Sequence, residues 1–74
     1  MRIRPDAKKS FSKHRSVIKI NFLRCGGWLQ INVFYKAHCW NRCMIGELIE
    51  IEYYLRQRHP RMYLDVMYYP GIVI

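Results

Sequence analysis

Six side chains in this chain are chemically versatile: Cys25, Cys39 and Cys43, and His14, His38 and His59. Structural zinc sites usually open with a pair spaced Cys-x(2–4)-Cys and close with a second pair. Cys39 and Cys43 fall inside that range with His38 beside them, but Cys25 and His59 stand alone. The second pair is missing, so the expectation is ordinary thiols and no metal. INVFYKAHCWNRC also reads as a strand running into a cysteine pair at a helix start, where thiolates are stabilised. Disulfide exchange uses Cys-x-x-Cys, and the extra residue here misplaces the resolving thiol. Glu47 and Glu50 are neighbours on a helix, yet a position near the helix start explains them cheaply. No Ser/His/Asp signature, glycine-rich phosphate loop or HExxH motif is present. The reading is a non-catalytic protein with no cofactor.

Charge is more informative than nucleophiles. Residues 1–42 hold ten Lys/Arg against the single acid Asp6, a block of +9. Residues 43–74 hold Arg56, Arg58 and Arg61 against Glu47, Glu50, Glu52 and Asp65, a block of −1. The total of +8 attracts polyanions and imposes self-repulsion.

Seventy-four residues make one small domain. A chain of this size buries only about 60% of its unfolded surface, so each core residue counts. Six Tyr, three Phe and two Trp supply area for a core or an interface. No run reaches the roughly 18 apolar residues of a membrane span. The start, MRIRPDAKKSFSKHR, lacks an apolar secretory region. It is basic like a mitochondrial presequence, although Pro5 and Asp6 interrupt an amphipathic helix. An odd cysteine count fits reduced thiols, hence an intracellular, reducing compartment, mitochondrial or cytoplasmic.

These side chains need a scaffold. Residues 1–15 show no evident periodicity and read as a basic, flexible arm, followed by one α+β domain over 16–74. Ile18, Ile20 and Phe22 alternate with Lys19 and Asn21, a strand pattern. Gly26-Gly27 suits a tight hairpin. Leu29, Ile31, Val33 and Tyr35 then alternate with Gln30, Asn32, Phe34 and Lys36 as a second strand. Met44, Leu48, Ile51 and Leu55 draw one apolar stripe along a helix, with Asn41 as its cap and His59-Pro60 as its stop. Met62, Leu64, Val66 and Tyr68 form one face of a last strand, and Tyr63, Asp65, Met67 and Tyr69 the other. Pro70-Gly71 is expected to break it, leaving Ile72-Val73-Ile74 as a short apolar tail. The expected fold is a ββαβ sheet with one helix on one face.

LQINVFYKAHC, RCMIGELIEIEYYLRQRHP and MYLDVMYYPG together resemble the start of a thioredoxin-like family of mitochondrial ribosomal proteins and a complex I accessory subunit. Arg42, Glu47, Glu50, Arg56, His59-Pro60 and Pro70-Gly71 stand where that family has its connector Arg, paired acids and pre-strand proline. The resemblance covers about half of the chain. It implies a structural role in a ribosome through protein and RNA contacts. The family's Gly/Ser-rich connector and its later strands and helix have no counterpart here.

An uncovered sheet face would carry Phe34, Tyr63, Met67 and Tyr69 beside Lys19, Arg24 and Lys36. Aromatic rings among cations can stack bases and hold phosphates. The expected function is RNA binding within a ribonucleoprotein, a ribosomal one where the resemblance is followed. Arg2, Arg4, Lys8, Lys9, Lys13, Arg15, Lys19, Arg24 and Lys36 would meet phosphates, with Phe34 and Tyr63 as stackers. The alternative is a small phage-type inhibitor or adaptor that docks Tyr63, Trp40, Met67 and Tyr69 on another protein. A DNA-binding regulator ranks third, because the one expected helix begins with glutamates rather than a basic face.

Overall fold

The computed structural model describes residues 2–71. The elements run α1 (Ile3–Ser12), β1 (Val17–Cys25), β2 (Trp28–Lys36), a 3₁₀ turn (Ala37–Cys39), α2 (Arg42–Arg58) and β3 (Tyr63–Gly71). They build a small α+β domain around a three-stranded mixed sheet in the order β1-β2-β3. β1 and β2 are antiparallel, and β2 and β3 are parallel with α2 as the crossover. The apolar tail expected at 72–74 lies outside the described residues.

The central strand sets the layers. Leu29, Ile31 and Val33 are fully buried and Tyr35 nearly so, while the alternate residues of β2 are half-buried on the opposite face. Period-two alternation therefore separates a covered face from an open one. Met44, Leu48 and Leu55 of α2 and Leu64 of β3 close over the covered face. Asn41 caps α2 by accepting a 2.7 Å bond from the Met44 N–H, as its position predicts. The first turn of α2 holds no acid, so Glu47, Glu50 and Glu52 do not serve its dipole as expected. Glu52 instead pairs with Arg56 at 2.8 Å and accepts from the Tyr68 hydroxyl at 2.7 Å, tying α2 to β3.

The N-terminal segment departs most from expectation. Residues 3–12 are a helix, not an irregular arm, and Ile3, Ala7 and Phe11 are buried in the shared core. The spacing of four places all three on one stripe, which lies on the sheet and α2. Pro5 is tolerated because first-turn N–H groups have no partner inside a helix. The described residues thus contain two α-helices, in the order αββαβ.

Three local corrections follow from strand pairing. The register slips between Val17 and Lys19, so Ile18 leaves the alternation and is exposed, and Val17 joins Ile20 and Phe22 against the core. This bulge turns side chains that a simple period-two reading assigns to the other face. Arg24 pairs with Leu29 and so belongs to the covered side, not to the open face beside Lys19. β3 continues through Pro70 and Gly71, which pair with Tyr35 and Lys36. An edge strand tolerates proline because its outer N–H groups need no ladder partner.

The hairpin forms where expected. Cys25 faces Trp28 across Gly26-Gly27, and Gly26 has φ of 62°. A positive φ at the first central residue but not at the second, Gly27, is the mark of a II′ turn.

Candidate nucleic-acid interface

α1 carries its cations outward. Arg2, Arg4, Lys8, Lys9, Lys13 and Arg15 are all exposed around and beside the helix. Its single acid, Asp6, turns inward, where the carboxylate accepts from His59 Nε2 at 2.8 Å and from Arg58 Nε at 3.0 Å. Burial by itself raises the Asp6 pKa, but the two hydrogen bonds and the adjacent positive charge outweigh it. Asp6 is therefore held below its ordinary carboxylate value, and its charge is spent on internal partners. The outer surface of α1 is left cationic.

The open sheet face has a different character. Lys19 Nζ lies 4.9 Å from the Phe34 ring centre, and Phe34 stacks on Tyr69 at 5.5 Å. The result is a cation–ring–ring row across all three strands. Tyr63 is the most exposed large ring at 70%, and Ile18, Leu23, Met67 and Tyr69 are also exposed there. Lys36 is half-buried at the end of β2. The Asn32 side-chain oxygen, mid-face on β2, is buried without a hydrogen-bond partner.

The predicted site residues thus fall on two opposite faces. The cations of residues 2–15 lie with the helix layer, and Phe34, Tyr63, Met67 and Tyr69 lie on the opposite face with Lys19 and Lys36. Trp40 belongs to neither group: its ring tilts against Tyr35 at 5.3 Å, at the end of the covered face. Arg24 joins Arg2 and Arg4 at one cleft.

Arg58 was missed as a site residue because the sequence assigned it to the end of a helix, and Arg61, beyond that helix, was given no role. They line a cleft against the start of α1. The stripe of Ile3, Ala7 and Phe11 is the signal that could have revealed it, since it brings α1 onto this end of α2.

Cys25 and Cys43 are exposed, Cys39 is half-buried, and all three are free. Among the described residues no group of three or more His, Cys, Asp or Glu is placed to hold a metal ion. No described helix is long and apolar enough to cross a membrane.

Searches of protein-family models, curated proteins and solved structures returned no match to this chain.

Proposed function

We propose that this protein is a non-catalytic RNA-binding module that works inside a larger ribonucleoprotein. The observation that carries the reading is the outward cationic surface of α1, whose only acid is turned inward onto His59 and Arg58. Such a surface neutralises phosphates with little internal competition. The expectation that no helix presents a basic face is overturned by α1 itself. Yet α1 spans only ten residues and lies flat on the core through Ile3, Ala7 and Phe11, so its exposed side meets a backbone more readily than it enters a groove. That favours contact with phosphates over reading of base edges in a major groove. Exposed Tyr63 offers a ring to an unstacked base, a mode typical of RNA.

The test is binding to a structured RNA across a salt series. Affinity should fall linearly on a double-logarithmic plot, and Lys8→Glu/Lys9→Glu/Lys13→Glu should flatten the slope. A flat response in the wild type removes the electrostatic mechanism, and equal binding to duplex DNA removes the preference for RNA.

A second reading has its own observation: Ile18, Leu23, Tyr63, Met67 and Tyr69 expose apolar surface on one face. An adaptor would dock another protein there. Affinity capture with and without nuclease separates the two, since protein partners survive the nuclease.

A further inference from the structure

Two adjoining clefts open where the first turn of α1 meets the end of β1 and the start of β3. One, of about 570 Å³, is lined by Arg2, Arg4 and Arg24. The other, of about 360 Å³, is lined by Arg58 and Arg61, and both share Ile3 and Met62 as an apolar floor. Five of the eight arginines in the chain converge here. Among the described residues, no lysine and no carboxylate lines either cleft. The grooves between α1 and α2 are different: they hold Lys9 and Lys13 together with Asp6, Glu47 and Glu50. Arg2 and Arg58 also line one of these grooves, so what sets the two clefts apart is cations without carboxylates.

The chemistry of a cleft whose cations are all arginines is specific. A guanidinium presents a rigid fork of donors that matches two phosphate oxygens, whereas an ammonium is a strongly hydrated point charge. Arg58 is committed to Asp6 at 3.0 Å. Arg2, Arg4 and Arg24 pair with no carboxylate among the described residues. Arg24 reaches only a long 3.5 Å bond to the Gly26 carbonyl, and Arg4 rests 6.0 Å from the Phe22 ring centre. Three like charges around one concavity repel each other until an anion enters between them.

We propose that Arg2, Arg4 and Arg24 form a clamp for a phosphate of RNA, with Arg61 guiding the neighbouring phosphate along the second cleft. The clamp rests on the RNA-binding reading and specifies which part of the basic surface grips rather than merely attracts. The lysines of α1 supply long-range attraction, and the arginine cleft supplies geometry.

The full chain tests this with variants that preserve net charge. Arg2→Lys/Arg4→Lys/Arg24→Lys should weaken binding of a short oligoribonucleotide by about tenfold. Lys8→Arg/Lys9→Arg/Lys13→Arg should change it by less than about twofold. Tighter binding of the 5′-phosphorylated oligonucleotide than of its 5′-hydroxyl form assigns the clamp to a terminal phosphate, and equal binding assigns it to the internal backbone. A triple arginine variant that binds like the wild type overturns the clamp and leaves the RNA reading standing. If the wild type binds no RNA, the reading itself fails. A titration with inorganic phosphate, followed by NMR at the arginine Nε–H groups, then reports on the cleft alone. Shifts confined to Arg2, Arg4 and Arg24 keep an anion clamp, and uniform or absent shifts overturn it.

Discussion

His59 Nε2 sits 2.8 Å from the Asp6 carboxylate, and this contact fastens the first turn of α1 to the end of α2. Both side chains are almost fully buried, at 9% and 8% exposure. Their pairing turns the only acid of α1 away from solvent and leaves the outer surface to cations. A single contact thus serves both the fold and the charge pattern.

Removing the carboxylate should be costly and should change the response to acid. In the folded chain the Asp6 pKa lies below its ordinary value of 3.8, because its hydrogen bonds and neighbouring charge outweigh the opposing effect of burial. Its stabilisation is complete above that value and disappears as pH falls through the lower folded one. Asp6→Asn should lose about 2 kcal/mol at neutral pH. It should also show a shallower acid decline below about pH 4 than the wild type. Chemical denaturation across a pH series measures both.

Phe11 decides whether the N-terminal segment belongs to the domain. It is fully buried, so Phe11→Ala should destabilise by about 3–5 kcal/mol. Exposed Lys8→Ala should change stability by less than about 0.5 kcal/mol. Equal, small effects in thermal or denaturant unfolding would show that α1 is dispensable to folding.

Tyr68 joins β3 to α2 through its 2.7 Å bond to Glu52. Burial raises its phenol pKa, and the Glu52 carboxylate raises it further. Its contribution is therefore whole below the ordinary value of 10.0 and is lost as pH rises beyond it. Tyr68→Phe should cost about 1 kcal/mol at neutral pH. The variant should also lose less stability than the wild type between neutral and strongly alkaline pH, as read by circular dichroism.

The hairpin offers a test of backbone conformation without steric confusion. A Cβ on Gly26 or on Gly27 would meet no atom within 4 Å, but only Gly26 has a positive φ, 62°. Gly26→Ala should cost about 1–2 kcal/mol. Gly27→Ala should be nearly neutral, and equal losses at both positions in thermal unfolding would contradict the turn geometry.

Much of the sheet and α2 could be read directly. Alternation in Leu29, Ile31, Val33 and Tyr35 needs only the strand period, and the Met44–Leu48–Ile51–Leu55 stripe only the helical one. Asn41 and Pro60 bound α2 by local chemistry. Ile18 could not be placed, because a bulge is a property of pairing and not of one strand. α1 was overlooked because three apolar residues among many cations make a weak signal, which becomes a stable helix only by burial against the sheet and α2.

The same division holds for function. The sequence alone determined that charge is concentrated before residue 43, that the apolar periods are those of strands and a helix, and that no catalytic motif stands in the chain. It read the cations of residues 2–15 as a flexible arm that contacts RNA together with the aromatic sheet face. Only the tertiary structure separated them, because α1 is held on the covered face by Ile3, Ala7 and Phe11 while Phe34, Tyr63 and Tyr69 project from the other side. Only the fold brought Arg24 to Arg2 and Arg4, residues some twenty positions apart. Linear spacing records net charge, but which charges share a cleft is decided by strand register and by where the apolar stripe of a helix must be buried.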